Sequence, residues 1–338
     1  MEFHKYMQYA FHDQWYRLKQ YANDRHIRIV GDMPIYVSGD SADVWAHPEL
    51  FQLDEHNNCT RVAGCPPDGF TPDGQLWGNP LYRWEYHRQT GYSWWIQRVS
   101  YSLGLYDVVR IDHFRGFDAY YSIPADAKTA KHGKWVKGPG LELFQAIRGQ
   151  LGELPIIAED LGFMTQSVRD MVNATGFPNM KVLQFAFDPE DRFGENEHLP
   201  HNYNRNCICY TGTHDNMTIA GWLQSLKRKE MIPVRDYLAD HSTPVRTLYK
   251  SLIHLAMESV ADTCIIPMQD FLGLGNDCRM NTPGTVGVNW QWRVRQDQLT
   301  DALAEEILQV TQHCGRGNLL NFPIPKHKEE DITSGEKI

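Results

Sequence analysis

Asp107-Val-Val-Arg-Ile-Asp-His-Phe-Arg-Gly116 is a short β-branched run that stops abruptly on charge. Val108, Val109 and Ile111 suit a buried strand, and on a period of two Arg110 and Asp112 point to the same side of it. An arginine beside an aspartate favours the ionised carboxylate that a nucleophile or electrostatic stabiliser needs. An isolated Arg-x-Asp is more often a structural ion pair closing a strand. The rest of the chain repeats the pattern, and that repetition changes its meaning.

Working outward, residues 27–30 read as a strand running into Gly31-Asp32, and 154–158 as one ending in Glu159-Asp160. Strands at 180–187, 207–210 and 263–268 lead to Asp188, to Thr213-His214-Asp215 and to Gln269-Asp270. Helical spacing occupies 3–22, 92–104, 141–151, 165–175, 245–260 and about 298–311. Six short apolar strands therefore alternate with helices, and each stops on an acid. That is the grammar of a parallel α/β sheet with its chemistry at the carboxyl edge. A doubly wound sheet calls for a glycine-rich phosphate turn; neither G-x-G-x-x-G nor a P-loop is present, and Leu272-Gly-Leu-Gly-Asn276 falls short. A TIM (β/α)₈-type barrel fits better, because its strands donate side chains to one central site. Six of its eight strands are legible, so the barrel is expected to be incomplete here.

Residues 33–91 break the rhythm with a long excursion dense in Pro, Gly, Asn and Asp, including Cys65-Pro-Pro-Asp-Gly-Phe70 and Gly74-Gln-Leu-Trp-Gly-Asn-Pro80. A loop region this long inside a domain is uncommon unless functional. It is rich in aromatics, among them Phe70, Trp77, Tyr82, Trp84 and Tyr86, with Trp94 and Trp95 just beyond it read as core.

The composition is that of a soluble globular protein: 338 residues, 42% hydrophobic and 22% charged. A net charge of −9 argues against a nucleic-acid or membrane-surface partner, either of which selects a basic face. No apolar run approaches the ~20 residues of a membrane span, and the start lacks the apolar core of a secretory signal. The seven cysteines are scattered; Cys207 and Cys209 share a strand face with no second pair to complete a zinc site, and read as reduced core thiols. A cytoplasmic location follows. One catalytic domain is expected over 1–325, with 326–338 a polar, disordered tail.

Three clusters, Arg110/Asp112, Glu159/Asp160 and His214/Asp215, lie on strand ends that converge. Three such acids suit glycosidic bond chemistry: one attacks the anomeric carbon, one protonates the leaving oxygen and one supports oxocarbenium-like charge. A metal site is the rival reading, but zinc usually asks for more histidine than His113 and His214 offer. Helix capping accounts well for Asp188 and fits Asp270, but poorly for all six acids together.

These residues closely resemble those of the 4-α-glucanotransferases (amylomaltases or disproportionating enzymes) of the α-amylase-like superfamily. The resemblance rests on Gly31-Asp-Met-Pro-Ile-Tyr-Val37 with Asp43-Val-Trp-Ala46, Trp77-Gly-Asn-Pro80, Val109-Arg-Ile-Asp-His-Phe-Arg-Gly116, Ala158-Glu-Asp-Leu-Gly162 and Lys181-Val-Leu-Gln-Phe185. Tyr210-Thr-Gly-Thr-His-Asp-Asn216 and Arg279-Met-Asn281 with Asn289-Trp290 complete it. It implies Asp112 as nucleophile, Glu159 as general acid/base and Asp215, beside His214, as transition-state stabiliser. Arg110 would orient Asp112, and Asp32, His113, Asp160, Phe185 and Asn281 would belong to the sugar-binding wall. Phe70 and Trp77 would offer flat faces to acceptor glucose rings. The implied partners are maltooligosaccharides and α-1,4-glucans, with no cofactor and no metal.

The family carries an N-terminal segment with two further barrel strands and a Tyr-Gly-Asp-Ser-Pro-Tyr-type motif, which nothing here matches. An N-terminally truncated sequence is therefore the expectation. Gly69, Met217 and Val288 are smaller departures bearing on fine specificity.

Overall fold

The period-two pattern around Arg110 is realised as a strand whose two faces meet different surroundings. The computed structural model describes residues 2–67, 71–191 and 193–317. In chain order it holds α1 (Glu2–Asn23), β1 (Val30–Pro34), α2 (Ala42–Ala46), β2 (Arg61–Cys65), β3 (Gln75–Pro80), α3 (Trp84–Gln89) and α4 (Ser93–Leu105). Next come β4 (Val108–Asp112), β5 (Ala119–Pro124), β6 (Lys134–Lys137), α5 (Leu141–Leu151), β7 (Ile156–Ala158), α6 (Gln166–Thr175) and β8 (Asn179–Val182). The last group is β9 (Cys207–Tyr210), α7 (Ile219–Ser225), α8 (Arg228–Leu238), α9 (Val245–Glu258), β10 (Thr263–Ile265), α10 (Met268–Phe271) and α11 (Asp301–His313).

β1, β4 and β7 pair in parallel, as do β8, β9 and β10. The amide of Ala158 donates to Pro178 O at 3.0 Å and joins the two sets. The six strands thus follow one another in chain order, as the alternating pattern predicts. Some bounds differ from expectation. β1 is Val30–Pro34 rather than 27–30, so Asp32 lies inside the strand opposite Arg110 and does not end it. β8 stops at Val182, where Leu183–Phe185 tightens into a 3₁₀ turn. β10 stops at Ile265, two residues before Pro267, which leads into α10. Among the described residues, β1 and β10 each pair with a strand on one side only.

Val109, Ile111, Ile156 and Ala158 turn outward into the main core, where they meet Trp95 and Val99 of α4, Phe144 and Ile147 of α5, and Val168 of α6. Ile157, Met180, Val182, Ile208 and Tyr210 form a separate cluster. Arg110 reaches that cluster, its Nε lying 3.4 Å from Met180 Sδ. The same alternation that buries Val109 therefore aims Arg110 and Asp112 away from the helices. Cys207 and Cys209 are fully buried free thiols, as expected.

The excursion over 33–91 is not one long loop. Antiparallel strands β3, β2, β5 and β6, in that order, form a second sheet, and α2 and α3 flank it. Two of these strands come from beyond the excursion, at 119–137, where no strand was expected. Trp95 and Tyr82 are core, exposed 0% and 1%.

Helix α1 departs from expectation in another way. Phe3, Tyr6, Met7, Phe11 and Tyr21 are exposed, whereas Lys19 and Asn23 are buried. Polar contacts fix this helix. Lys19 Nζ donates to Gly104 O at 3.1 Å and lies 3.5 Å from Asp107, while Asn23 Nδ2 and the Ile29 amide donate to Asp107 at 2.9 and 2.7 Å. Asp107→Ala leaves Lys19 as a buried cation without its counter-charge, which costs about 3–5 kcal/mol. The denaturant midpoint of the variant should fall accordingly; an unchanged midpoint would contradict this account of α1. No helix among the described residues is long and apolar enough to cross a membrane.

Candidate active site

The site begins with the turn that ends β4. His113 has φ of +52°, in the left-handed region, where a residue with a Cβ is strained. Neighbours hold it there: Phe114 and Phe117 are fully buried, with Phe114 stacked on Phe144 at a centroid distance of 4.9 Å. The Phe114 amide donates to Glu159 O at 3.0 Å, and the His113 amide donates to Glu159 Oε2 at 2.6 Å. The turn after β4 and the acid after β7 are therefore one structure.

Arg110 bridges two aspartates, with Nη1 2.7 Å from Asp32 Oδ1 and Nη2 2.9 Å from Asp112 Oδ1. The parallel register that places Asp32 opposite Arg110 makes this geometry available. Asp112 keeps 43% of its side-chain surface open to the cleft. Its carboxyl nevertheless lies among protein groups, and burial raises its pKa. Arg110 opposes the rise, Asp32 and Asp215 add to it, and the net shift is upward. The arginine beside Asp112 does favour its charge, but burial and the two other acids outweigh it.

Glu159 is 8% exposed. Burial and then the Asp112 charge push its pKa up to about 7, against opposition from Arg110 and from the amides of Leu161 and His113. The Leu161 amide donates to Oε1 at 2.8 Å. Two neighbouring carboxyls thus have different environments, one half-buried beside an arginine and one buried beside backbone.

Asp215 belongs to the turn after β9. Asn281 Nδ2 donates to its Oδ1 at 2.5 Å, and His214 Nε2 lies 3.4 Å from Oδ2. Arg279, a motif residue with no role expected from the sequence, grips the turn by donating from Nη2 to Asp215 O and from Nε to Asn281 O. Trp290 packs its ring 5.1 Å from that of His214.

Of the other expected residues, Trp77 lies on β3 with its ring perpendicular to that of His113 at 4.8 Å, so the second sheet reaches the site. Burial drives the pKa of His113 down to about 3, with Arg115 adding to the shift, so its imidazole is neutral. Phe185 is 45% exposed just beyond β8. Phe70 and the tail 326–338 lie outside the described residues.

Asp160 was expected in the sugar-binding wall, but its geometry is different. It is 8% exposed, and its oxygens accept from the Met180 amide at 2.9 Å and from Asn179 Nδ2 at 3.3 Å. It fastens β8 from behind. Near it Glu197 accepts from Arg169 and Lys181 at 2.8 and 2.9 Å. Burial works against its charge, yet those hydrogen bonds hold its pKa at about 2. No spacing rule links these residues, which meet only in the fold. Asp270 accepts from Thr211 and from the Ile219 amide at the start of α7, which is the capping role weighed for it, whereas Asp188 accepts from the Glu190 amide in a turn that leads directly into no helix among the described residues.

A family model described as 4-alpha-glucanotransferase (Glyco_hydro_77) matches residues 1–300. The chain belongs to this 4-alpha-glucanotransferase family. A 4-alpha-glucanotransferase of Streptococcus pneumoniae is 51% identical over 314 residues, covering 91% of this chain and 60% of the relative. The chloroplastic/amyloplastic 4-alpha-glucanotransferase of Solanum tuberosum is 46% identical, over 88% of this chain and 51% of its own length. Among solved structures, the amylomaltase of Streptococcus agalactiae in complex with acarbose aligns with a TM-score of 0.89 at 44% identity, covering 93% of this chain and 63% of that one. The fold is accordingly the α-amylase-like TIM-barrel type of this family. The chain spans about 60% of the length of the bacterial relatives it matches.

Proposed function

We propose that the protein moves α-1,4-glucan segments between maltooligosaccharides by a retaining double displacement. In the first step Asp112 attacks the anomeric carbon while Glu159 gives its proton to the departing glycosidic oxygen, leaving a glycosyl ester on Asp112. In the second, Glu159, now a carboxylate, takes the proton from a 4-hydroxyl of an acceptor glucan. That oxygen attacks the same carbon, and Asp112 leaves with its electron pair. Asp215, held by Asn281 and His214, faces the charge that develops on the ring. Asp32 and neutral His113 bind hydroxyls, while Phe185 and Trp77 offer ring faces. Trp77 belongs to the acceptor wall. Exclusion of water by that wall favours sugar over water as acceptor.

One observation carries this reading: Glu159 has its pKa raised to about 7 while hydrogen-bonded to the amide next to Asp112, and Asp112 is paired with Arg110. A carboxyl that holds its proton near neutrality beside one paired with a cation is what acid and nucleophile require. Maltotriose is the discriminating substrate. Incubation should give glucose plus a ladder of chains longer than the substrate. Reducing ends released without longer chains would reassign the protein as an α-glucan hydrolase.

A second reading, glucan binding without turnover, draws on β1 and β10, each paired on one side only among the described residues. Saturable maltooligosaccharide binding with no product on long incubation would favour it.

A further inference from the structure

Three side chains with metal-ligating atoms come together away from the strand tips. His254 and Glu258 are four residues apart on one face of α9, in its last turn, and Cys314 follows α11 directly. One ligand atom from each lies within 4.8 Å of the other two. We propose that His254, Glu258 and Cys314 bind a zinc-type divalent cation that staples α11 to α9.

Imidazole, carboxylate and thiolate are the donor types zinc accepts, and three protein ligands plus water make a four-coordinate site. Donors around a tetrahedral zinc stand ~3.3–3.7 Å apart, so closure asks for about 1 Å of movement. His254 and Glu258 are exposed and free to supply it by rotamer change. The carboxyl ends of α9 and α11 converge here, and the negative ends of both helix dipoles favour a cation.

The backbone around the site is already fastened. Arg316 donates from Nε to Met257 O at 2.6 Å and from Nη2 to Ser259 O and Ala261 O at 2.9 Å. Ile253, Met257 and Val310 pack beneath, with Cys314 against them. A cavity of about 350 Å³, lined by Tyr249, His254, Phe271, Glu306 and His313 among others, gives an ion a way in beside His254. The Cys314 thiol is held protonated by burial and by Glu258, with Arg316 opposing. Binding releases that one proton to solvent as the sulfur–metal bond forms. A cysteine-pair motif does not describe this site, because its donors are of three types and come from α9 and from the residue that follows α11.

The test uses Co²⁺ as a spectroscopic probe and Zn²⁺ for affinity and stability on the full chain. One equivalent of Co²⁺ should produce a thiolate-to-metal charge-transfer band. Cys314→Ser should abolish it, and Cys278→Ser should keep it. His254→Ala should weaken Zn²⁺ binding more than about tenfold, since even outer-shell changes cost that much. Zn²⁺ should raise the thermal midpoint of the parent and not of Cys314→Ser, with circular dichroism confirming that the variants fold. A band that survives Cys314→Ser, an unchanged Zn²⁺ affinity in folded His254→Ala, or no binding by the parent would each overturn the proposal.

Discussion

Asp112→Asn should lower turnover of maltotriose by about 10³–10⁵-fold, roughly 4–7 kcal/mol of barrier, while substrate binding changes only a few-fold. The amide keeps the shape of the side chain and cannot form the glycosyl ester, so the loss falls on the chemical step. The structure adds a second consequence. The Asp112 charge is one of the two causes that raise the pKa of Glu159. Removing it should lower the Glu159 pKa, readable as a shift of its carboxyl carbon resonance with pH. A merely structural Asp112 would predict loss of folding. Near-normal turnover in a folded variant would remove its nucleophilic role.

The second large effect concerns Glu159. With its pKa at about 7, the fraction carrying the required proton falls as pH rises through that value. kcat/KM for maltotriose should therefore decline on the alkaline side with a midpoint near 7. The acid limb follows Asp112, which must lose its proton to attack, and lies above the ordinary aspartate range. Glu159→Gln should cost about 10²–10⁴-fold on maltotriose, the usual share of general acid–base catalysis. A maltosyl fluoride, whose leaving group needs no proton, should escape most of the penalty in the first step. Equal losses on both substrates would show that Glu159 is not the proton donor.

How much of this was legible in the sequence depends on how local each signal is. The six parallel strands were readable because alternation and charge lie within a few consecutive residues, as in Val108 to Asp112, although Asp32 falls inside β1 and Asp188 and Asp270 lie several residues beyond β8 and β10. Helices α5 and α9 were readable for the same reason. The second sheet was missed because β2 pairs with β5 some sixty positions away, Arg61 opposite Pro124. Its strand β5 did carry a signal, the run Tyr120-Tyr-Ser-Ile123 closed by Pro124. Helix α1 was located correctly, but most of its apolar stripe is exposed, because spacing shows that a stripe exists and not what it faces.

In the site, residue types were legible and environments were not. Nothing in the sequence shows His113 in a left-handed turn with its amide on Glu159, or Asp160 turned back to β8. The pKa of Glu159 depends on those contacts. The arginine next to Asp112 was visible; the burial that outweighs it was not.

The central claim is that Asp112 becomes covalently glycosylated, and it can be tested by one mass measurement. In Glu159→Gln the second step lacks its base, so the ester should accumulate when maltosyl fluoride supplies the glycosyl group. Intact protein mass should then rise by one maltosyl unit, and peptide mapping should place it on the fragment carrying Asp112. No adduct, or an adduct on Asp215 or any other residue, would contradict the account.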